Sequence, residues 1–313
     1  MSKKILVTGA AGYVGSVLLI HLLNKGYRVR ALDNLMYGQT CHLPYFINKN
    51  FEFIRGDILN KKTVREALKG VDAIIHLAAI VGAPACRENP SLAREVNVKG
   101  SRNINQLREK NQPLIYASTG SVYGILKEVC TEKSSVNPVS LYGKTKAIAE
   151  QEIMEKGNSV ALRFATGFGI SNRFCLDYLM VNDFVYQACH NKQLVIYEGN
   201  VKRTFIHVQD MARAYIFVLE NFTKVKNKVF NVGSEKMNCT KKEIALKIKE
   251  KIPYHIFFAE VGEDQDKRDY EVSYEKIRRI GFETKISLDE GIEELVKGFR
   301  NLSFKQSQSQ IIS

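Results

Sequence analysis

The chain has 313 residues, of which 45% are hydrophobic and 25% charged, with a formal net charge of +13. That is a globular composition, long enough for one large domain plus a smaller lobe, and no apolar run approaches the roughly 20 residues that span a membrane. The positive excess suits an anionic partner, but the lysines are dispersed, without a basic block or aromatic-interleaved patch, so a solvated Lys-rich surface is favoured over nucleic-acid binding.

The N-terminus, Met1-Ser2-Lys3-Lys4, opens directly into the strand-like Ile5-Leu6-Val7. It lacks the longer apolar stretch and small-residue cleavage site of a signal peptide, and a cytoplasmic location is expected. The cysteines, at 41, 86, 130, 175, 189 and 239, form no CxxC pair. They read as reduced thiols, and no His/Cys spacing calls for a metal.

Short apolar runs at Lys4–Thr8, Arg28–Asp33, Phe51–Ile54, Ala73–Leu77, Leu114–Ser118 and Val160–Phe164 predict strands. Between them, amphipathic stretches at Val14–Lys25, Lys61–Lys69, Ser91–Lys110 and Leu141–Lys156 predict helices. This alternation implies an α/β fold, a doubly wound parallel sheet with helices on both faces. The second half is less regular. Helices are expected at Leu176–His190, Val208–Asn221, Thr240–Lys251, Glu271–Ile280 and Leu288–Asn301, with a short strand at Val229–Val232. The expected organisation is a dinucleotide-binding domain over 1–170 and a substrate lobe over 171–304. The strands near 204–208 and 229–232 are candidates to return to the main sheet. The Ser/Gln-rich tail, 305–313, is expected to be disordered.

Gly9-Ala10-Ala11-Gly12-Tyr13-Val14-Gly15 joins the first strand to the first helix. Glycines there permit a tight turn, close approach of a pyrophosphate to the backbone, and close packing of helix on strand. The helix start adds N–H groups and positive potential, so Gly9, Gly12, Tyr13, Val14 and Gly15 are candidate cofactor ligands. Asp33 ends the second strand, where a carboxylate can take both ribose hydroxyls and repel a 2′-phosphate. The next residue, Asn34, is not an arginine. This favours NAD over NADP, although a strand-end turn aspartate is a common alternative. Asp57, followed by Ile58, is a candidate for the adenine side or a simple helix cap.

Tyr142 and Lys146 stand at i and i+4 and share one face of a helix. A phenol ionises near about 10 in water. A neighbouring ammonium favours the phenolate, which can take a hydroxyl proton as hydride leaves the same carbon. The fifth strand runs into Ser118-Thr119-Gly120-Ser121-Val122-Tyr123-Gly124, at the sheet edge where ligands bind.

These motifs, with His76-Leu77-Ala78-Ala79, Asn97-Val98-Lys99-Gly100 and Arg203–Asp210, resemble the extended short-chain dehydrogenase/reductase family, in its branch of NAD-dependent nucleotide-sugar epimerases and dehydratases. The resemblance implies a Rossmann-type fold with a C-terminal substrate lobe, bound NAD and a nucleotide-diphosphate sugar as substrate; the dispersed lysines and the lack of a spanning apolar run lead to the expectation of no membrane or nucleic-acid partner. It makes Thr119, Tyr142 and Lys146 the catalytic residues, with Lys146 also on the nicotinamide ribose. Leu77, Ala78 and Ala79 become the turn along the cofactor, and Asn97 a cofactor-site residue supporting the catalytic helix. Arg203 and Arg268 become phosphate-holding arginines, for which structural ion pairs remain an alternative. The stretches Ser91–Lys110 and Leu141–Lys156 resemble helices that pair in a homodimer.

Two departures narrow the reading. Family dehydratases carry an Asp-Glu pair straight after the catalytic Thr, where this chain has Gly120 and Ser121. Many 4-epimerases have an Asn after the strand Arg, where Thr166 stands here. Thr166 and Asn182 are therefore candidate substrate ligands. Segments such as Val81–Cys86 and Val181–Tyr186 are similar to those of GDP-heptose 4-oxidoreductases and epimerases. Cys86 could be an acid/base there, or a buried thiol, which is the usual state of free cysteine. The leading expectation is a 4-epimerase working through a 4-keto sugar. The alternatives are a C4 dehydrogenase or reductase and, more remotely, a non-catalytic dinucleotide sensor or RNA-binding relative.

Overall fold

The structure, a computed structural model, describes residues 2–126, 128–173, 179–259 and 269–301. The elements, in chain order, are β1 (Lys4–Thr8), α1 (Tyr13–Asn24), β2 (Arg28–Asp33), β3 (Phe51–Arg55), α2 (Lys61–Leu68), β4 (Ala73–His76), α3 (Ala83–Glu88), α4 (Pro90–Arg94), α5 (Ser101–Leu107), β5 (Leu114–Thr119), α6 (Leu141–Lys156), β6 (Ser159–Phe164) and β7 (Thr166–Phe168). They continue with α7 (Met180–His190), β8 (Gln193–Tyr197), β9 (Lys202–His207), α8 (Val208–Glu220), α9 (Phe222–Val225), β10 (Lys228–Val232), β11 (Asn238–Thr240), α10 (Lys241–Lys251), β12 (His255–Ala259), α11 (Glu275–Arg278) and α12 (Leu288–Asn301). The helix expected from Leu176 begins, as described, at Met180. Arg268 and the 305–313 tail lie outside the described residues.

Seven parallel strands form the main sheet in the order β10-β6-β5-β4-β1-β2-β3. Successive strand residues enter opposite layers, as the pleat requires. Ile5 and Val7 pack with the core on the α1 and α8 side, and Leu6 with the core holding Val64 of α2, Ile104 of α5 and Ile153 of α6. A third core, around Phe168, Val185, Ile248 and Leu295, belongs to the lobe. The chain runs outward from β1 to β3, then returns to place β4 on the other side of β1. Such a switch point opens a crevice at the carboxyl ends of the strands.

Of the second-half strands, β10 joins the main sheet against β6. The strand near 204–208 does not. As β9 it pairs with β7 and β11, because β7 leaves the end of β6 and carries its partner into the lobe. The two-stranded β8–β12 sheet was not anticipated. Ser91–Lys110 is not one helix either. A π-helical turn over Glu95–Gly100 separates α4 from α5. At its centre, Asn97 accepts from Ile80 N (2.8 Å) and donates to Ile80 O and Thr145 Oγ1 (both 3.0 Å). Widened turns of this kind recur at functional sites.

Candidate active site

A cleft of about 320 Å³ opens at the switch point. Its first wall is the β1–α1 turn. Gly9 has φ +68, and a Cβ there would lie 2.7 Å from Ala78 N. A Cβ on Gly15 would lie 2.3 Å from Gly9 O, so the turn closes on itself only with glycine. The N-cap of α1 is Gly12, with no side chain to satisfy the first N–H groups. Gly12 N donates within the turn to Gly9 O (3.1 Å), and Gly12, Tyr13, Val14 and Gly15 line the cleft. An uncapped helix start in a crevice is a phosphate-binding arrangement.

Asp33 ends β2 and is 8% exposed. Its carboxylate accepts from Ala11 N (3.0 Å) and Leu35 N (2.8 Å), which fixes it between the glycine turn and the next loop. Carboxylate oxygens each have a second lone pair for a ribose hydroxyl. Asn34 donates to Asp57 (3.0 Å), whose other oxygen accepts from Leu59 N (2.8 Å). Asp33, Asn34, Asp57, Ile58, Leu77, Ala78 and Ala79 all line this half of the cleft. Glycine turn, open helix end and ribose-facing acid together fit a dinucleotide.

The other half belongs to β5 and α6. Ser140 caps α6 by accepting from Gly143 N (3.1 Å), which sets Tyr142 in the first turn and Lys146 one turn on. Both line the cleft, as do Thr119 and Thr166. Thr119 Oγ1 accepts from Ser121 N and donates to Ser121 Oγ, each at 3.1 Å. Lys146 is 2% exposed, with Nζ 4.2 Å from the centroid of the Tyr116 ring. Burial pulls its ammonium down to about 7, opposed by Glu150 and, less, by Cys86. The ring and Glu150 both favour the cation in that dry floor.

Three residues singled out in the sequence stand elsewhere. Asn97 does not line the cleft; fully buried, it ties the Ile80 turn to α6. Asn182, 2% exposed, spends its amide on the N–H and C=O of Gly169, both at 3.0 Å. Arg203, 1% exposed on β9, donates to Lys202 O (3.0 Å) and is not part of the cleft wall. For Asn97 and Asn182 the backbone supplies partners that residue type alone could not reveal. Cys86 is also off the wall, and burial pushes its thiol up to about 11, against acid/base work near neutrality. His76, wholly buried, is pulled down to about 3 by burial and then Lys146, so it stays neutral between Thr8 Oγ1 (2.6 Å) and Ser101 Oγ (2.9 Å).

The cleft also recruits residues not foreseen as ligands. Met211 and Tyr215 reach it from α8, at i and i+4, and Arg173 from the start of the lobe. The shared face of 211 and 215 was visible in the sequence, but which way it pointed was not. Among the described residues there is no group of His, Cys, Asp or Glu that could hold a metal ion. No described helix is long and apolar enough to cross a membrane.

A dinucleotide cradle facing a Tyr/Lys pair on a doubly wound sheet defines an enzyme of NAD-linked hydride transfer. Residues 5–233 match the NAD dependent epimerase/dehydratase family, and the chain belongs to it. It is 29% identical over 310 residues to a putative UDP-glucose 4-epimerase of Methanocaldococcus jannaschii, covering 95% of this chain and 98% of that one. Over 323 residues it is 31% identical to UDP-glucuronic acid decarboxylase 1 of Arabidopsis thaliana, covering 98% of this chain and 72% of the relative. The fold matches the Thermus thermophilus UDP-glucose 4-epimerase solved with NAD, with a TM-score of 0.82, 26% identity, and coverage of 95% and 99%. The protein is thus an NAD-dependent enzyme of nucleotide-sugar chemistry.

Proposed function

We propose that the chain is a nucleotide-sugar 4-epimerase. The observation that carries this reading is the sugar-side wall. Thr119, Tyr142 and Lys146 share the cleft, while Gly120 and Ser121 follow Thr119 where a dehydratase needs an acid and a base. Among the described lining residues, the carboxylates are Asp33 and Asp57, both on the ribose side. Bound NAD supplies a hydride acceptor that can give the hydride back. Tyr142 Oη takes the proton of the C4 hydroxyl, Thr119 Oγ1 bridges the two oxygens, and the Lys146 ammonium favours the phenolate. Loss of that proton and of a hydride from C4 leaves a 4-keto sugar. Once that sugar turns in the site, return of the hydride to the opposite face of C4 and of the proton from Tyr142 to the C4 oxygen would invert C4 without a net redox change. In this reading Thr166 contributes a substrate contact from the cleft wall, and Arg268 a grip on the diphosphate. Asn182 and Arg203 would support the substrate lobe around them.

The test is incubation with UDP-, GDP- and TDP-linked hexoses and heptoses, UDP-glucuronic acid included, with product analysis by NMR. A C4 epimer at unchanged redox state is expected. Released carbon dioxide, or accumulated NADH with a stable ketosugar, would replace the reading by a decarboxylase or a C4 dehydrogenase.

A homodimer is part of the same proposal. A groove runs between the α4–α5 stretch and α6, with Val98, Leu141 and Ile148 exposed or half-buried in it, ringed by Arg94, Lys99 and Arg102. Sedimentation at micromolar concentration is expected to show twice the 35.5 kDa chain mass. Ile148→Glu should shift it toward the monomer, since an apolar interface would have to bury a charge. A wild-type chain that sediments only as a monomer contradicts the dimer.

A further inference from the structure

Three consecutive residues cross from the substrate lobe onto the cofactor half. Ser171 Oγ donates to Tyr13 O (2.6 Å) and lies 2.9 Å from Ser16 Oγ. Asn172 Nδ2 donates to the Tyr45 hydroxyl (3.2 Å). Arg173 N donates to Ser16 Oγ (3.3 Å), and its guanidinium carbon lies 4.4 Å from the centroid of the Tyr37 ring. Tyr13 and Ser16 form the first turn of α1. Tyr37 and Tyr45 belong to the stretch between Asp33 and β3. Arg173 is therefore pinned beside the open helix start, and both it and Tyr37 line the cleft.

We propose that Arg173 is a ligand of the NAD pyrophosphate, resting on Tyr37 as a clasp over the bound cofactor. The charge balance motivates it. A pyrophosphate carries two negative charges, whereas a helix start offers only about half a positive one. Among the described residues that line the cleft, the cations are Lys146 and Arg173. Lys146 lies on α6 in the floor with Tyr142. Arg173 is the one beside α1. A guanidinium offers two parallel N–H groups to phosphate oxygens, and an aromatic face holds it flat for that purpose. Because Arg173 begins the lobe while its contacts belong to the dinucleotide half, the clasp ties cofactor retention to the seating of the two halves. This does not depend on which sugar reaction the cleft performs.

The experiment uses the full chain stripped of cofactor, with Arg173→Ala, Arg173→Lys and Tyr37→Leu. NAD, ADP-ribose and UDP are titrated calorimetrically, and NAD release is timed after dilution. Losing a charge-assisted pair to phosphate should weaken both NAD and ADP-ribose by about tenfold or more. Most of the change should appear as faster release, with UDP affinity unchanged. Arg173→Lys should recover part of the loss, as a point charge without the fork. Tyr37→Leu should speed NAD release by a few-fold, because the charge remains but its platform does not. The wild-type affinity for NAD should also fall more steeply with salt than that of Arg173→Ala. Melting of the cofactor-free variants at the wild-type temperature would show that the fold is kept. If Arg173→Ala misfolds, Arg173→Lys and Tyr37→Leu carry the test alone. NAD affinity and release within threefold of wild type would overturn the proposal. So would a loss confined to UDP, which would make Arg173 a substrate ligand instead.

Discussion

Tyr142→Phe is expected to lower turnover by about 10²–10⁴-fold, the usual loss on removing a general acid–base group. The ring remains in the first turn of α6 and only the hydroxyl goes, so the fold and NAD binding should stay as they are. Lys146→Ala should behave differently. Its side chain lines the floor of the cleft, and both NAD affinity and rate should fall. Thr119→Ser should be mild, because the hydroxyl is retained, and Thr119→Ala severe. Burial already pulls Lys146 down to about 7, so in the cofactor-free protein it loses its proton as pH rises through that value. Unfolded, it would keep that proton to about 10.4. The unfolded chain therefore binds more protons in the interval, and the Lys146 contribution makes the cofactor-free fold more stable with rising pH there. Lys146→Met should flatten that slope in urea titrations. A Phe variant that converts substrate at near the wild-type rate would remove Tyr142 from the chemistry.

The parts of this site legible in the sequence are those fixed by local rules. The glycine turn, Asp33 at a strand end and Tyr142/Lys146 one helical turn apart each declare themselves through spacing, and the parallel sheet carries them to one crevice. The strands of the main sheet were legible for a related reason. The central ones, β1, β4, β5 and β6, are buried on both faces, so they read as nearly continuous apolar runs. What stayed hidden depends on tertiary partners. Asn97 looked like a residue on a continuous helix; it instead sits in a π turn that interrupts that helix, bonded to Ile80 and Thr145. Asn182 had the chemistry of a ligand, yet Gly169 takes its amide. In the β7–β9–β11 sheet the strand near 204–208 was legible, but its partners β7 and β11 are three residues each, too short for periodicity to separate from loop. Arg173 is one basic residue among many along the chain, and only the packing of its segment on α1 sets it apart.

The largest stability effect is expected from Glu150→Ala. Glu150 lies on α6 one turn after Lys146, and it meets Arg163 of β6 with side-chain exposures of 8% and 6%. Arg163 Nε donates to both carboxylate oxygens (3.1 and 3.0 Å), and Nη2 donates to Oε1 at 2.5 Å. Ser118, beside Thr119 on β5, donates to Oε2 at 2.5 Å. Arg163 Nη1 continues to the Tyr123 hydroxyl (3.0 Å), which donates to Asn231 of β10 (2.6 Å). One carboxylate thus fastens α6 to β5 and β6 and, through Arg163 and Tyr123, to β10. Burial works against the charged guanidinium, but the bonds to Glu150 outweigh it and hold Arg163 above its ordinary range. Removing the carboxylate leaves that cation in the core without its partner. Breaking a buried pair from one side costs about 3–5 kcal/mol. Glu150→Ala should lose that much in urea denaturation, while Glu150→Ala with Arg163→Met should recover part of it, because the stranded charge is gone. Glu150→Gln should also move Lys146 below about 7, since Glu150 is the main group that raises it. That shift is readable by NMR of the lysine side chain as pH is varied. A single Glu150→Ala variant within 1 kcal/mol of wild type, on the scale expected of exposed pairs, would mean that α6 is held on the sheet by packing alone.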